Sequence, residues 1–150
     1  FGKAGGWTNL TLPSASPSDA IFIAGPAAAA NGGWAVSAAG DVNGDGYADL
    51  LTTAPQAGTN AGASYVIFGR PGAWTSFGLA GAVPSAGGSA ITGAQVSDQS
   101  GRTISAGDIN GDGRPDLAIG APFAQTGGSQ SGAAWVLLNQ GTGAVLYNGT

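Results

Sequence analysis

Short runs of apolar and β-branched residues, each five or six residues long, alternate with glycine-rich polar stretches along the chain. Two of these runs, 35–40 and 49–54, flank one polar loop, and 103–107 and 116–121 flank another. Further runs lie at 20–25, 63–68, 89–93 and 133–138. Runs of this length bounded by Gly, Asn and Asp are typical of β-strands, and no segment keeps a helical period. The pattern predicts an all-β fold with no significant helix.

The two polar loops share one sequence, D-[VI]-N-G-D-G-x-x-D-L, at Asp41–Asp49 and Asp108–Asp116, 67 positions apart. The chain has eight acidic residues, all Asp, and six of them lie in these loops. A second block, Phe1–Thr8, matches Phe68–Thr75 at the same offset. Repetition at a fixed period is typical of repeat folds. We therefore predict one repeat module over 1–150, with units at about 1–67 and 68–150.

The loops carry oxygen donors at alternate positions, which can converge on one cation if the backbone curls tightly. Glycines at the fourth and sixth positions permit the positive φ angles that such a turn needs. Hard oxygen donors without His or Cys favour calcium over zinc, copper or the smaller magnesium. The predicted ligands are the side chains of Asp41, Asn43, Asp45, Asp49, Asp108, Asn110, Asp112 and Asp116 and the carbonyls of Tyr47 and Arg114. The alternative is a turn-rich loop without metal, since Asn-Gly and Asp-Gly form turns. Two copies with the same spacing favour two calcium ions per chain.

The flanking segments decide which calcium-binding architecture is predicted. An EF-hand needs helices on both sides and a Glu at position 12 of its loop. That position holds Thr52 and Ile119, and the chain has no Glu. A dockerin-like arrangement is excluded too, because its paired loops are closer together and joined by a helix. Four short antiparallel strands per unit, separated by glycines, predict about two four-stranded blades of a β-propeller.

Along essentially its whole length, the chain resembles the FG-GAP repeats of integrin-type β-propellers. The family pattern runs from a Phe-Gly pair through a calcium loop to Gly-Ala-Pro and a strand ending in Phe-Gly. Here it reads Asp41–Asp49, Thr53-Ala-Pro and Phe68-Gly, then Asp108–Asp116, Gly120-Ala-Pro and Leu138-Asn. Thr53 and the Leu138-Asn139 pair depart from the pattern but are not metal ligands. The resemblance implies structural calcium at the outer edge of each blade, with ligand recognition on the opposite face or by accessory domains.

Composition excludes several functional classes. The net charge is -4 with four Lys and Arg, so we expect no nucleic-acid partner. No stretch approaches the roughly 20 apolar residues of a membrane span. The chain has no His, and its paired carboxylates lie inside the calcium loops, so we predict a protein that is not an enzyme. Weak, open calcium loops suit extracellular calcium levels, which predicts an extracellular or cell-surface location.

Two blades are fewer than the four that a closed propeller needs. We therefore expect as partners other blades of the same protein or identical subunits, together with a protein or glycan ligand. The leading hypothesis is an extracellular module for adhesion or surface recognition. The alternatives are a subunit that assembles head-to-tail into a ring or filament and a carbohydrate-binding propeller. Trp34 and Trp135 are candidate contact residues, and Asn9 and Asn148 fit a weak glycosylation pattern.

Overall fold

A computed structural model describes residues 20–80 and 87–141 of the chain. The strands are β1 (Ile23–Ala24), β2 (Val36–Gly40), β3 (Asp49–Ala54), β4 (Ala63–Ile67), β5 (Phe77–Gly78), β6 (Gly88–Thr92), β7 (Thr103–Gly107), β8 (Asp116–Ala121) and β9 (Ala133–Leu137). The one helical element of these described residues, α1 (Ala57–Asn60), is a single distorted turn in which Gly58 and Thr59 have left-handed φ angles. The all-β prediction is therefore confirmed for the described residues.

The strands form two antiparallel sheets of blade type and one small parallel pair. The first sheet has the order β2-β3-β4-β6, and the second has the order β7-β8-β9. The pairs β2–β3, β3–β4, β4–β6, β7–β8 and β8–β9 are all antiparallel. Strands β1 and β5 pair in parallel over two residues each. The strands on either side of each Asp-rich loop are thus neighbours in one sheet.

The fourth strand of the first sheet lies beyond the Phe68-Gly69 block in the sequence. Strand β6 pairs with β4, with Tyr65 opposite Ala90 and Ile67 opposite Gly88. The first sheet therefore includes strands from both sides of the predicted unit boundary near residue 67. That boundary is defined by the sequence repeat and remains a prediction. Within the described residues, the second sheet has three strands.

The main core lies between the two sheets. Its buried members are Ala39, Val42, Leu51, Val66, Ile104, Leu117 and Ile119. Alternation along β4 directs Val66 into this core and directs Tyr65 and Ile67 to the other face of the first sheet. On that face, Leu79 is buried, and Ile23 and Phe77 of the β1–β5 pair are packed against the cluster. Each fully buried large side chain of this kind contributes roughly 1.5–3 kcal/mol of hydrophobic stabilisation. Both faces of the first sheet are covered.

The topology separates two ends of the molecule. The Asp-rich loops follow β2 and β7, so both lie at one end of the strands. Trp34 and Arg102 precede these strands and Phe123 follows β8, which places them at the opposite end. No helix of the described residues is long and apolar enough to cross a membrane. The predictions for Phe1–Thr8, Asn9 and Asn148 fall outside the described residues.

Candidate metal centres

The Asp-rich loops begin where β2 and β7 end, and they return directly into β3 and β8. Asp49 is the first residue of β3, and Asp116 is the first residue of β8. The glycines at the fourth position, Gly44 and Gly111, have φ angles of 77° and 79°. Those at the sixth position have φ angles of 89° and 85°. The glycines therefore provide the left-handed turns predicted from the sequence.

In the first loop, the Asp41 carboxylate is the centre around which the backbone curls. Its Oδ1 accepts hydrogen bonds from the backbone N–H of Gly44 at 2.7 Å and of Asp45 at 3.0 Å. Its Oδ2 accepts a third bond, from Gly46 N at 2.7 Å. These three hydrogen bonds, all between protein atoms, hold the loop in its tight turn.

The side chains at the third and fifth positions are joined to each other. Asn43 Nδ2 donates to Asp45 Oδ2 at 2.9 Å, and Asn43 Oδ1 accepts from Asp45 N at 3.0 Å. Asp45 Oδ1 accepts from the backbone N–H of Tyr47 at 2.9 Å. The structure thus brings the first three predicted side-chain ligands together on one side of the loop.

The second loop repeats this arrangement bond for bond. Asp108 accepts from Gly111 N at 2.7 Å, Asp112 N at 3.0 Å and Gly113 N at 2.8 Å. Asn110 Nδ2 donates to Asp112 Oδ2 at 3.0 Å, and Asn110 Oδ1 accepts from Asp112 N at 3.0 Å. Asp112 Oδ1 accepts from Arg114 N at 2.9 Å. Corresponding distances in the two loops differ by at most 0.1 Å, so the repeat is structural as well as sequential.

The ninth-position carboxylates have a different environment, because both are buried. Asp49 is 3% exposed and Asp116 is 0% exposed. Asp49 Oδ2 accepts from Val42 N at 2.8 Å, and its Oδ1 accepts from Gly69 N at 2.7 Å. This carboxylate therefore joins the start of the loop to Gly69, two residues after the end of β4.

Asp116 makes the equivalent bonds and one more. Its Oδ2 accepts from the backbone N–H groups of Ile109 at 2.9 Å and Asn110 at 3.3 Å. Its Oδ1 accepts from Asn139 N at 2.8 Å. One buried carboxylate thus ties each loop into its own sheet.

The surroundings of the two buried carboxylates shift their pKa in opposite directions. Burial raises the pKa of Asp49 above 3.8; the N–H bonds from Gly69 and Val42 oppose this, and the Asp45 and Asp41 charges add to it. For Asp116, the N–H bond from Asn139 lowers the pKa below 3.8, against burial and together with the other two N–H donors. The direction of each pKa shift follows from the balance between burial and neighbouring negative charges, which raise the pKa, and N–H donors, which lower it.

The donor chemistry of each loop fits a hard divalent cation. A carboxylate has about four lone-pair sites, and Asp41, Asp45 and Asp49 accept three, two and two bonds from described residues. Each therefore keeps acceptor capacity for a metal. The described residues contain no group of three or more His, Cys, Asp or Glu side chains placed closely enough to hold a metal ion. The calcium ligands predicted above remain a prediction.

Two contacts were not predicted from the sequence, one at the Asp-rich loops and one at the opposite end of the strands. Asn139 Nδ2 donates to the carbonyl oxygen of Val42 at 2.7 Å, across 97 positions of sequence. At the other end, the Arg102 guanidinium lies 4.5 Å from the centroid of the Trp34 ring. One signal for the first was visible in the sequence, because Asn139 replaces the Gly of the Phe-Gly pair.

Comparisons with known proteins identify the repeat. The family model described as FG-GAP repeat matches residues 32–67 and 100–137. The chain is 40% identical over 96 residues to human phosphatidylinositol-glycan-specific phospholipase D, which covers 61% of the chain and 10% of that protein. It is 36% identical over 114 residues to integrin alpha pat-2 of Caenorhabditis elegans, covering 72% of the chain and 8% of that protein.

A third relative is integrin alpha-6 of Gallus gallus, 34% identical over 90 residues, or 55% of the chain and 7% of that protein. The chain thus spans a tenth or less of the length of these curated relatives. The matched segments begin just before β2 and β7, pass through an Asp-rich loop, and end with β4 and β9. The chain carries two FG-GAP repeats.

Proposed function

We propose that this chain, which carries two FG-GAP repeats, is a calcium-stabilised, non-catalytic module of an extracellular β-propeller used in adhesion or surface recognition. The observation that carries the proposal is the duplicated loop. Two nine-residue segments build the same pattern of side-chain bonds around Asp41 and Asp108. Because the same arrangement of hydrogen bonds is built twice, we infer that the two loops have the same role.

Calcium would relieve a charge problem that each loop creates. Asp41, Asp45 and Asp49 belong to one nine-residue loop, and the first two charges raise the pKa of the third. Two carboxylates about 4 Å apart repel by roughly 1 kcal/mol in water and about 4 kcal/mol at an effective dielectric constant near 20. A divalent cation held by these oxygens would convert that repulsion into attraction. It would thereby fix the connection between β2 and β3.

The exposure of the loops supports an extracellular setting. Asp45, Tyr47, Asp108 and Asp112 are all exposed, so water competes directly with the protein for the cation. Open oxygen sites of this kind bind calcium in the range of about 10⁻⁴–10⁻³ M that is typical of extracellular modules. The similarity to integrin alpha chains supports the same location.

The surface that we propose for recognition is the strand end opposite the loops. Trp34 there is 49% exposed, and the Arg102 side chain lies 4.5 Å from its ring centroid and 5.7 Å from that of Phe123. An exposed aromatic ring beside a guanidinium is typical of protein contact sites. Binding of the protein to cell-surface proteins should fall in Trp34→Ala. If the same variant instead lost signal on a glycan array, the carbohydrate-binding alternative would be favoured.

A non-catalytic role agrees with the distribution of reactive groups. The sequence has no His or Cys, and the acidic residues outside the loops are Asp19 and Asp98. The match to a protein named as a phospholipase D covers 10% of that protein, so its activity is not transferred to this chain.

Metal analysis tests the calcium proposal. Protein treated with chelator and then dialysed to equilibrium against about 10 mM calcium, which exceeds dissociation constants of about 10⁻⁴–10⁻³ M, should hold two equivalents in excess of the calcium in the dialysate. Asp45→Ala and Asp112→Ala should each retain one, and the double variant none. Asp98→Asn is the matched control, since it removes a carboxylate outside the loops and should retain two. Zero equivalents in the unaltered protein, or zinc in place of calcium, would refute the proposal.

A second candidate function, head-to-tail assembly, is favoured by the open side of the second sheet. Strand β9 is at the edge of this sheet in the described part of the chain. Beside that edge, Trp135, Val136 and Leu138 are 49%, 54% and 46% exposed. In the first sheet, the corresponding strand β4 is covered by β6. Another blade, or an identical subunit, would cover β9 in the same way.

Sedimentation in calcium separates this candidate from the first. Oligomers or fibres at micromolar concentration, also visible by electron microscopy, would support assembly from identical subunits. Trp135→Ser with Val136→Thr should then shift the population to monomers. A soluble monomer with cooperative unfolding would exclude assembly of this chain alone.

A further inference from the structure

Asn139 lies between the two Asp-rich loops and is bonded to both. It is 7% exposed and follows β9. Its side-chain Nδ2 donates to the carbonyl of Val42 in the first loop at 2.7 Å and to that of Pro115 in the second loop at 3.3 Å. Its backbone N–H donates to Asp116 Oδ1 at 2.8 Å. One buried amide therefore connects two segments that are distant in sequence.

These bonds continue to the ninth-position carboxylate of the first loop. Val42 is itself 3% exposed, and its N–H donates to Asp49 Oδ2 at 2.8 Å. The path runs from Asp116 through Asn139 and Val42 to Asp49. Every residue on this path is buried, so water does not compete for its hydrogen bonds, and each bond is costly to leave unmade.

Among the described residues, this side-chain link runs from the second repeat to the first loop and has no counterpart from the first repeat to the second loop. In the first repeat, Gly69 occupies the position of Asn139, and its N–H donates to Asp49 Oδ1 at 2.7 Å. It has no side chain with which to reach a neighbouring loop, and a Cβ there would lie 2.3 Å from the Ala48 carbonyl oxygen. Gly40, the last residue of β2, also lies close to the second loop, because a Cβ built on it would lie 3.0 Å from Pro115 Cγ. The second repeat thus holds the first loop, in addition to its own.

We propose that Asn139 is a positioning residue that couples the two metal loops, so that occupation of the second loop raises the affinity of the first. The proposal rests on the proposed function, because it takes calcium as the ligand. A cation in the second loop would fix Asp116 and, through Asn139, the Val42 peptide that holds Asp49. The first loop then loses less conformational freedom on binding its own cation. Coupling of this kind is reciprocal, so the second loop gains the same factor.

Metal binding to the two loops can be measured separately, because the residues at their seventh positions differ. The first loop has Tyr47 and the second has Arg114. Terbium(III), a luminescent substitute for calcium, is sensitised by a tyrosine beside its site, so tyrosine-excited emission reports the first loop. Tyr47→Phe is the control that should remove this signal. Calcium competition then gives the calcium affinity of the same loop.

The test compares the first-loop affinity with and without a functional second loop. Asp112→Ala disables the second loop and should lower the first-loop affinity about fivefold or more, as typical coupling between sites does. In an Asn139→Gly background, which keeps the backbone N–H to Asp116, the same change should have no effect. Asn139→Ala serves as a second variant, and circular dichroism verifies that each variant retains its sheets.

The outcomes separate the inference from its premise. If Asp112→Ala leaves the first-loop affinity unchanged, the coupling is refuted even though calcium binds, and this comparison needs no change at Asn139. An equal loss with and without Asn139 would show that the coupling runs through another contact. If neither loop of the unaltered protein takes up terbium or calcium, the proposed function fails and the coupling fails with it.

Discussion

The guanidinium of Arg102 lies 4.5 Å from the centroid of the Trp34 ring, and these two residues occupy the same position in the two repeats. Trp34 precedes β2 of the first sheet, and Arg102 precedes β7 of the second. Gln99 Oε1 accepts from Arg102 Nε at 2.8 Å and helps to fix the guanidinium. The contact therefore joins the two sheets at the end away from the Asp-rich loops, whereas Asn139 joins them at the loop end. Between these two links lies the shared core.

Removing the Arg102–Trp34 contact should loosen the docking of the two sheets. We expect a coupling energy of about 0.5–1 kcal/mol, typical of a cation–π pair at a partly exposed site. A double-mutant cycle with Arg102→Gln and Trp34→Ala, measured by urea unfolding, gives this value. The matched control is Arg70 over Trp74, at 5.0 Å and only four positions apart in sequence. Disruption of that local pair by Arg70→Gln should leave the Arg102–Trp34 coupling unchanged, and a coupling near zero for Arg102–Trp34 would contradict the docking role.

Calcium removal should destabilise the fold without changing its strand content at low temperature. A ligand held at about 100 times its dissociation constant stabilises a native state by about 2.7 kcal/mol per site. Chelation should therefore lower the Tm strongly, measured by circular dichroism in calcium and in chelator. Asp45→Ala with Asp112→Ala should lower the Tm in calcium and show little further response to chelator. The same Tm for the unaltered protein in both buffers would mean that metal does not support the fold.

The strands and loops were predictable because their signals are local. Runs such as 49–54 and 116–121 combine apolar residues with Gly, Asn and Asp at their ends, and both are strands with those bounds. The glycine positions also predicted the left-handed turns at Gly44 and Gly111. Repetition strengthened each prediction, because the same pattern had to fold in the same way twice.

The remaining features depend on contacts that sequence spacing does not encode. Spacing places Asp41 and Asp49 in one loop, but it does not show that one is partly exposed while the other is buried at 3% exposure. Nor does it show that β6 joins the first sheet, or that β1 pairs with β5. The bond from Asn139 to Val42 spans 97 positions, and only packing of the two sheets brings those groups together.

Acidification should release calcium from the first loop before the second. Protons compete with metal for ligand carboxylates. The pKa of Asp49 is raised above 3.8 by burial, and that of Asp116 is lowered below 3.8 by the Asn139 N–H bond. The Asp49 carboxylate therefore takes up its proton at a higher pH than Asp116 does as pH falls from 7. Calcium titrations between pH 7 and 4 check this with Asp112→Ala, which keeps the first loop, and Asp45→Ala, which keeps the second. A steeper loss in the second loop would contradict the assignment.

Substitution at Gly69 should be far more harmful than substitution at a glycine with open space around it. A Cβ on Gly69 would lie 2.3 Å from the Ala48 carbonyl oxygen and 2.8 Å from Tyr47 Cβ. The backbone would have to shift and weaken the Gly69–Asp49 bond, so Gly69→Ala should cost about 1–3 kcal/mol of the free energy of unfolding. Gly107→Ala is the control, because a Cβ there meets nothing within 4 Å. Urea unfolding of the two variants gives the comparison, and equal midpoints would show that the first loop can adjust at no cost.

Alkaline conditions should destabilise the protein through Tyr65, which lies in the cluster behind the first sheet and is 5% exposed. Burial raises its pKa above 10.0, because the phenolate is disfavoured away from water. A raised folded-state pKa gives stability that is fully present below pH 10.0 and is lost as pH rises through the folded value.

Tyr65→Phe keeps the ring and removes the titration. Since the Tyr65 hydroxyl has no hydrogen-bond partner among the described residues, the variant should match the unaltered protein at pH 7. At pH 11 it should be the more stable of the two, because its unfolded state cannot gain by losing that proton. Urea midpoints at both pH values give the difference. If the Tyr65→Phe difference were the same at pH 7 and pH 11, burial of this hydroxyl would have no part in the alkaline sensitivity of the fold.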